Sequence, residues 1–274
     1  MSELLSHEFV QNAILAGVLA SVLCGVIGTF VVVKRLVFVS GGLSHAAFGG
    51  LGICYFLGVE PLIGAAGVSL IVALLLGAAD PSRVRSHDAA IGVFWAVGMA
   101  LGVVFIHQTP GYAPNLMTYL FGNILTVSRG DVSMTALFVL TVLGVLALFF
   151  KELVAVAFDE SFARTQGVPT RVLLTLLMVL IALSVVFLIR LVGIILVIAL
   201  LTIPPLIGMT LVRSIGAVMV LATGVGIAMC LGGLGVSYRY DLPSGPAIVL
   251  LGACVLVVLR GGKELLETRK RERV

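Results

Sequence analysis

The chain has 274 residues, of which 60% are hydrophobic and only 11% are charged, and its formal net charge is +4. A soluble domain carries about 25% charged residues, because its surface must face water. The composition therefore excludes a soluble domain and predicts a polytopic membrane protein. The 17 basic residues are spread along the chain rather than gathered in one patch, which argues against nucleic-acid binding.

Apolar segments long enough to cross a bilayer recur from the first residues to the last. A membrane helix needs about 20 predominantly apolar residues, and we divided the chain at its charges and turn residues. The resulting nine candidate spans are 12–33, 40–58, 62–79, 89–107, 132–150, 172–189, 191–211, 215–236 and 246–260. They predict an all-α integral membrane protein in which residues 1–274 form a single transmembrane domain.

Two stretches near the middle of the chain depart from a regular pattern of spans. Pro204 and Pro205 interrupt the seventh span, and we expect them to divide it into two short helices, because proline breaks the helical hydrogen-bond pattern. Residues 110–131 mix apolar residues with Pro, Asn and Gly. This composition predicts an outer loop that leads into a short helix at the membrane surface or dipping into it.

The longest connection between spans covers residues 151–171, which are amphipathic and mixed in charge. We expect a helical core near residues 161–166. Gly167 and Pro169 follow it, and both residue types commonly end a helix.

The distribution of Lys and Arg predicts the orientation in the membrane, because cytoplasmic loops carry an excess of both. With the N-terminus outside and the C-terminus in the cytoplasm, 14 of the 17 basic residues lie inside, and only Arg129, Arg190 and Arg239 lie outside. The inner residues are Lys34, Arg35, Arg83, Arg85, Lys151, Arg164, Arg171, Arg213, Arg260, Lys263, Arg269, Lys270, Arg271 and Arg273. The opposite orientation would reverse this excess.

The spans contain no carboxylate and the chain contains no ATP-binding motif. All 13 acidic residues fall at span ends, in loops or in the tails, whereas proton-coupled carriers and intramembrane aspartyl proteases keep carboxylates at membrane depth. There is no H-E-x-x-H zinc motif and no G-x-x-x-x-G-K-[ST] phosphate loop. Uphill transport by this protein would need energy from another chain.

The second span is built from small residues around one histidine. Its sequence SGGLSHAAFGG, residues 40–50, surrounds His45 with Gly, Ser and Ala. Such residues let helix backbones approach closely in a membrane, as do Gly98 and Gly102 in the fourth span, although glycine is also common in membrane helices generally. An ionisable side chain at this depth indicates a functional site. Alternatively, His45 hydrogen-bonds a backbone carbonyl and only fixes helix packing.

Three aromatic residues with polar atoms are interpreted as structural. Trp and Tyr are enriched where membrane helices meet the aqueous interface. We therefore expect Trp95, the single tryptophan of the chain, together with Tyr238 and Tyr240, to be interface aromatics rather than ligands.

Six stretches that together cover nearly the whole chain occur in a fixed order: 28–52, 87–102, 115–132, 158–169, 191–205 and 240–251. They include the strings SGGLSHAAFGG, FDESFARTQGVP and YDLPSGPAIVLL. In this order they resemble the permease subunits of the ABC-3 family of zinc, manganese and iron ABC importers.

The resemblance implies a homodimeric permease of a prokaryotic inner membrane that works by alternating access and has no ATPase activity or catalytic residue of its own. Its implied partners are a second copy of the chain, a dimer of a cytoplasmic ABC ATPase and an extracytoplasmic metal-binding protein. The cargo would be a divalent metal ion, zinc or manganese before iron, with no permanently bound cofactor. A carrier of a metal chelate or of a vitamin B12-type cargo is the nearest alternative, and an intramembrane enzyme is a more distant one.

The resemblance also implies a pathway site. His45 would face the pathway as the metal ligand, since imidazole suits Zn²⁺, Mn²⁺ and Fe²⁺. Many family members carry an Asp one helical turn earlier, where this chain has Gly41. Another ligand would then come from Ser40, Ser44 or a different span, or water would stay on the ion. His107, at an outer span end, is a candidate for the outer mouth.

Residues 158–169 resemble the coupling segment of the family, a short helix that docks in a groove of the ATPase. Asp159, Phe162, Ala163 and Gly167 match its pattern. A short helix between two long spans would pass the closure of the ATPase to both of them. The alternative is an ordinary solvated loop.

Overall fold

The computed structural model describes residues 7–78, 84–110, 120 and 122–271, and its regular elements are all helices over these ranges. They are α1 (Glu8–Val33), α2 (Val37–Phe56), α3 (Pro61–Ala78), α4 (Val84–Gln108), α5 (Arg129–Leu148), α6 (Phe150–Phe158), α7 (Glu160–Thr165), α8 (Thr170–Val192), α9 (Ile194–Leu211), α10 (Ile215–Tyr240) and α11 (Ser244–Arg271). Within the described ranges, nine of them are long and apolar enough to span a membrane, and only α6 and α7 are not. The all-helical fold with nine spans is confirmed.

Local chemistry explains where several spans begin and end. Ser128 and Asp131 form a capping box at the start of α5, in which the Asp131 amide donates to Ser128 Oγ at 3.2 Å. Ser214 caps α10 in the same way, accepting from the Ala217 amide at 3.3 Å. Each cap supplies a partner for an amide that the first helical turn leaves unpaired. Gly193, with φ at +80°, separates α8 from α9.

The expected break at Pro204 and Pro205 is wrong, because α9 is one helix from Ile194 to Leu211 with both prolines inside it. A proline removes the hydrogen bond to the carbonyl four residues earlier, and for Pro205 that carbonyl belongs to Leu201. The neighbouring helix α1 comes close at this point: a Cβ added at Gly28 would lie 3.0 Å from the Pro205 ring. Prolines are tolerated in membrane helices where a neighbouring helix packs against the altered turn.

Two connections also differ in detail from the prediction. The connection after α5 contains the additional helix α6, whose buried Leu153, Val156 and Ala157 pack inward. In the stretch 110–131, the described residues contain a 3₁₀ turn, Ile124–Thr126, and the start of α5 at Arg129, while residues 111–119 and 121 lie outside the described residues. The predicted helix near residues 161–166 is confirmed as α7.

The helix that carries His45 lies in the centre of the bundle. α2 packs against α3 on one side and α4 on the other, while α1 packs against α9 and α10, and α8 contacts α1, α2 and α3. α2 is the most buried of the spans, whereas α3, α4, α5 and α11 are the least buried. The exposed spans suit contact with lipid or with another protein, and α2 is held from several sides.

Glycine allows α2 and α4 to approach at backbone distance. A Cβ added at Gly98 would lie 2.5 Å from the carbonyl oxygen of His45, and one added at Gly49 would lie 2.8 Å from the Gly98 oxygen. One turn further along, a Cβ at Gly52 would lie 2.7 Å from the Gly102 Cα. The close packing expected from Gly98 and Gly102 is confirmed, because a larger residue at these positions would force the helices apart.

Ion pairs join several helices at one end of the bundle. Arg190, in the last turn of α8, lies 2.7 Å from Asp131 of α5 and 3.5 Å from Glu60, which precedes α3. Arg129 of α5 lies 2.5 Å from Glu8 of α1. All five residues belong to the side predicted to face outward, so two of the three basic residues assigned to that side have acidic partners. The orientation of the whole chain stays a prediction.

We predict that Gly98→Ala lowers the free energy of unfolding by about 1–3 kcal/mol, because the added methyl group overpacks the α2–α4 contact. The matched control is Gly92→Ala on the same helix, where an added Cβ meets no atom within 4 Å. Unfolding of the purified chain in mixed micelles, followed by circular dichroism, measures both variants. Equal stability of the two variants would contradict the close approach.

Candidate functional site

His45 lies near the middle of α2 and is half-buried. Its imidazole stacks on the indole of Trp95 from α4, with ring centroids 4.2 Å apart and planes 19° from parallel. The Nδ1 atom is buried and has no hydrogen-bond partner among the described residues. The structure thus gives no hydrogen bond from Nδ1 to a backbone carbonyl, and the ring is held by stacking.

Trp95 is a contact of His45 that sequence reasoning missed, and its interpretation as an interface aromatic stays a prediction. It lies in the interior of α4 and contacts the one histidine of α2. Fifty positions separate the two residues, so no spacing rule connects them. The only available signal was indirect: Gly98 lies one turn after Trp95, and the glycines of α2 and α4 indicated a close helix pair without identifying the partners.

Phe38, Gly41 and His45 lie on one face of α2, since residues three, four and seven apart share a helix face. Trp95 covers this face. A Cβ added at Gly41 would lie 3.0 Å from Trp95 Cζ3, and the Phe38 ring centroid lies 5.8 Å from that of Trp95. A cavity of about 490 Å³ opens on the same side. Its lining residues are Val32, Arg35, Val37, Phe38, Gly41, Trp95 and Ile198.

The other candidates for the pathway do not join His45. Ser40 and Ser44 are buried, and their hydroxyl groups donate within α2, to the carbonyls of Val37 and Ser40 at 2.8 Å each. His107 is exposed at the end of α4, twelve residues beyond Trp95 and so about 18 Å along the helix. Of the candidates named from sequence, the structure brings only Gly41 to the same helix face and aromatic neighbour as His45.

The donor set of one chain is small. Within the described ranges, no group of three or more His, Cys, Asp or Glu residues is arranged to hold a metal ion. Close to His45 the contacts are aromatic and glycine contacts rather than carboxylate contacts. One imidazole can contribute a single ligand bond, and the remaining ligands of an ion would come from water or from another chain.

The connection between α5 and α8 presents a short helix on the surface. Asp159 caps α7, its carboxylate accepting a hydrogen bond from the Phe162 amide at 2.9 Å. Ala163 is 1% exposed and fixes one side of the helix against the bundle, whereas the Phe162 ring on the other side is 59% exposed. Gly167 has φ at +80°, a left-handed conformation that favours glycine and turns the chain towards α8.

Lys34, at the end of α1, ties this connection to the bundle. Its Nζ donates to the carbonyl of Val156 in α6 at 3.0 Å and lies 3.9 Å from the carboxylate of Glu160 in α7. The side chain is only 17% exposed. Burial lowers the pKa of Lys34 from its ordinary value, and the Glu160 carboxylate opposes that shift. One side chain therefore connects α1 to both short helices.

The fold defines an integral membrane protein with a connection that another protein can reach.

Comparison with known proteins identifies the kind of transporter. The model of the ABC 3 transport family matches residues 6–260, and the chain belongs to this family. It is a multi-pass permease of an ABC transporter, as the sequence resemblance indicated.

Individual relatives cover almost the whole chain. An uncharacterized membrane protein of Synechocystis is 42% identical over 94% of this chain and 92% of its own length. The manganese transport system membrane protein MntC of Halalkalibacterium halodurans is 34% identical over 93% of this chain and 88% of its own. The solved structure of PsaBC from Streptococcus pneumoniae in complex with Fab has a chain that superposes with a TM-score of 0.84 at 28% identity, covering 94% of this chain and 92% of that one.

We predict that Asp159→Ala loosens α7, because loss of an N-cap costs about 0.5–2 kcal/mol. Hydrogen exchange at the Phe162 amide should accelerate about 2- to 30-fold, the factor that corresponds to this free energy. Asp159→Asn is the control, since asparagine retains an oxygen that can cap the helix. Equal exchange in the alanine and asparagine variants would show that the cap does not hold the helix.

Proposed function

We propose that the chain is the membrane-spanning subunit of an ATP-driven importer of divalent transition-metal ions, working as a homodimer by alternating access. Manganese is the favoured cargo, with zinc and iron as the other candidates, because relatives of similar length are manganese transport proteins. The observation that carries the proposal is His45: a half-buried imidazole with an unpaired Nδ1, in the central helix, one turn from a residue that lines an open cavity.

The chemistry of this group suits transient binding of a metal ion. A neutral imidazole binds manganese, zinc and ferrous ions through one nitrogen. Two-fold symmetry would bring a second His45 towards the same axis, and water would complete the coordination shell. Few protein ligands mean weak coordination. Weak coordination allows an ion that has entered from one side to leave from the other.

The energy would come from a cytoplasmic ATPase that docks on α7. Phe162 and the preceding Phe158 are both largely exposed, and buried aromatic anchors supply much of the binding energy of protein interfaces. The contacts of Lys34 would then connect the docked helix directly to α1. The conformational change driven by ATP hydrolysis in the partner would be transmitted to the spans through this connection. An extracytoplasmic metal-binding protein would deliver the ion at the opposite end.

We predict that His45→Ala lowers manganese uptake by metal-starved cells at least about 10-fold, because the pathway loses its imidazole ligand. The assay follows radioactive manganese in cells that lack the native gene and express the variant. His7→Ala is the matched control, since it removes an exposed imidazole from outside the spans, and it should import as the native chain does. Immunoblots of isolated membranes confirm equal amounts of both variants.

The same cells distinguish the cargo. Deletion of the gene should lower the manganese content of the cells, as measured by elemental analysis. The same measurement on cells supplied with zinc or ferrous iron instead of manganese tests these two ions as cargo. Normal import of all three ions by deleted cells would contradict the proposal. Loss of growth only on a metal chelate would instead favour the chelate carrier.

We predict that Phe162→Ala weakens binding of the ATPase at least about 10-fold, or ~1.4 kcal/mol, because it removes an aromatic anchor. Leu137→Ala is the control, since Leu137 is 68% exposed on α5 and has no place in the docking segment. Co-purification of the ATPase with tagged permease measures the effect. Equal recovery of the ATPase with both variants would show that α7 is an ordinary surface connection.

A further inference from the structure

The first observation concerns what holds the imidazole of His45. A histidine that binds a metal normally donates its second ring nitrogen to a carboxylate or carbonyl, and this hydrogen bond fixes the orientation of the ring. The described residues give Nδ1 of His45 no such partner. The indole of Trp95, stacked at 4.2 Å and 19°, is the contact that restricts the ring.

The second observation concerns the space beside Gly41. A Cβ built there would lie 3.0 Å from Trp95 Cζ3, closer than side-chain carbons normally approach. A carboxylate attached to that Cβ would have to displace the indole or leave this face of α2. Gly41 and Trp95 therefore depend on each other: the indole covers the face of α2 on which a longer side chain at residue 41 would lie.

Stacking restricts the ring without blocking its nitrogens. The nitrogen lone pairs of an imidazole lie in the ring plane, whereas the indole lies against its face, so a ligand can still approach the ring edge. The Phe38 ring, tilted at 5.8 Å from the indole, supports Trp95 from the side of α2 nearer its start. Trp95 is thus held between two side chains of the same helix.

We propose that Trp95 is the positioning residue of the His45 site: it orients the imidazole by stacking and excludes a carboxylate from position 41. This inference rests on the proposed function, because it assumes that His45 meets the transported ion. A divalent cation would meet a fixed nitrogen ligand and its own water, with no protein charge from position 41. The pair Gly41–Trp95 then determines how strongly the site binds its ion.

A double-mutant cycle tests whether Gly41 and Trp95 depend on each other, with manganese uptake as the readout. Trp95→Ala should lower uptake about 10-fold or more, the range seen when the orienting partner of a metal ligand is lost. Gly41→Asp should lower it similarly through the clash with the indole. The double variant should import more than either single variant, because the aspartate then has room beside His45. Trp95→Phe, which keeps an aromatic face for stacking, should retain most of the uptake.

A spectroscopic measurement adds a readout local to this site, and the emission without metal checks that each variant is folded. Trp95 is the single tryptophan of the chain, so the fluorescence of the purified permease in lipid nanodiscs reports on this site alone. Mn²⁺ is paramagnetic and should quench the emission when it binds His45, and diamagnetic Zn²⁺ should quench it much less. His45→Gln keeps the tryptophan and should abolish the manganese response.

The outcomes separate the two proposals. Equal quenching in His45→Gln, together with unchanged uptake, overturns the role of His45 and with it the positioning role. Loss of both responses in His45→Gln, with normal uptake by Trp95→Ala, overturns the positioning role alone. If the effects of Gly41→Asp and Trp95→Ala simply multiply, the two positions are independent and the exclusion of a carboxylate is wrong.

Discussion

Close backbone contact between α2 and α4 is the constraint on which the rest of the structure depends. Lipid is as apolar as leucine, so burial of apolar side chains gives little attraction between membrane helices, and close packing must supply it. Gly49, Gly52, Gly98 and Gly102 make this possible by leaving no side chain between the two backbones. The same approach brings the Trp95 indole onto the His45 imidazole. The architecture of the site is therefore a consequence of helix packing.

Among the described residues, ion pairs lie at the two ends of the bundle and join different helices at each end. At one end Arg190 joins α8 to α5 and to the start of α3. At the other, Lys34 joins α1 to α6 and α7. Between them the central helix offers one imidazole and mostly small or apolar neighbours. This division leaves the surroundings of His45 in α2 and α4 mostly apolar.

Sequence reasoning recovered the features that depend on local composition. Hydropathy located all nine spans, because a membrane span must be apolar along its whole length, and Gly167 marked the end of α7. It missed α6, which at nine residues is too short for a span and begins beside the charges of Lys151 and Glu152. It wrongly predicted a break at the prolines of α9, because the prolines pack beside Gly28, which is distant in the sequence. The stacking of Trp95 on His45 was unpredictable for the same reason, since the contact joins helices whose pairing only the folded chain determines.

The position of the ion pairs has a consequence for how the protein responds to salinity. The Arg129–Glu8 and Arg190–Glu60 pairs are exposed to solvent, and dissolved ions screen such charges over about 8 Å at physiological ionic strength and over shorter distances in brine. The Lys34 contacts are mostly buried and are screened far less. The Arg129–Glu8 contact between α5 and α1 and the Arg190–Glu60 contact between α8 and the start of α3 therefore weaken as the salt concentration rises, while the attachment of α7 keeps its strength.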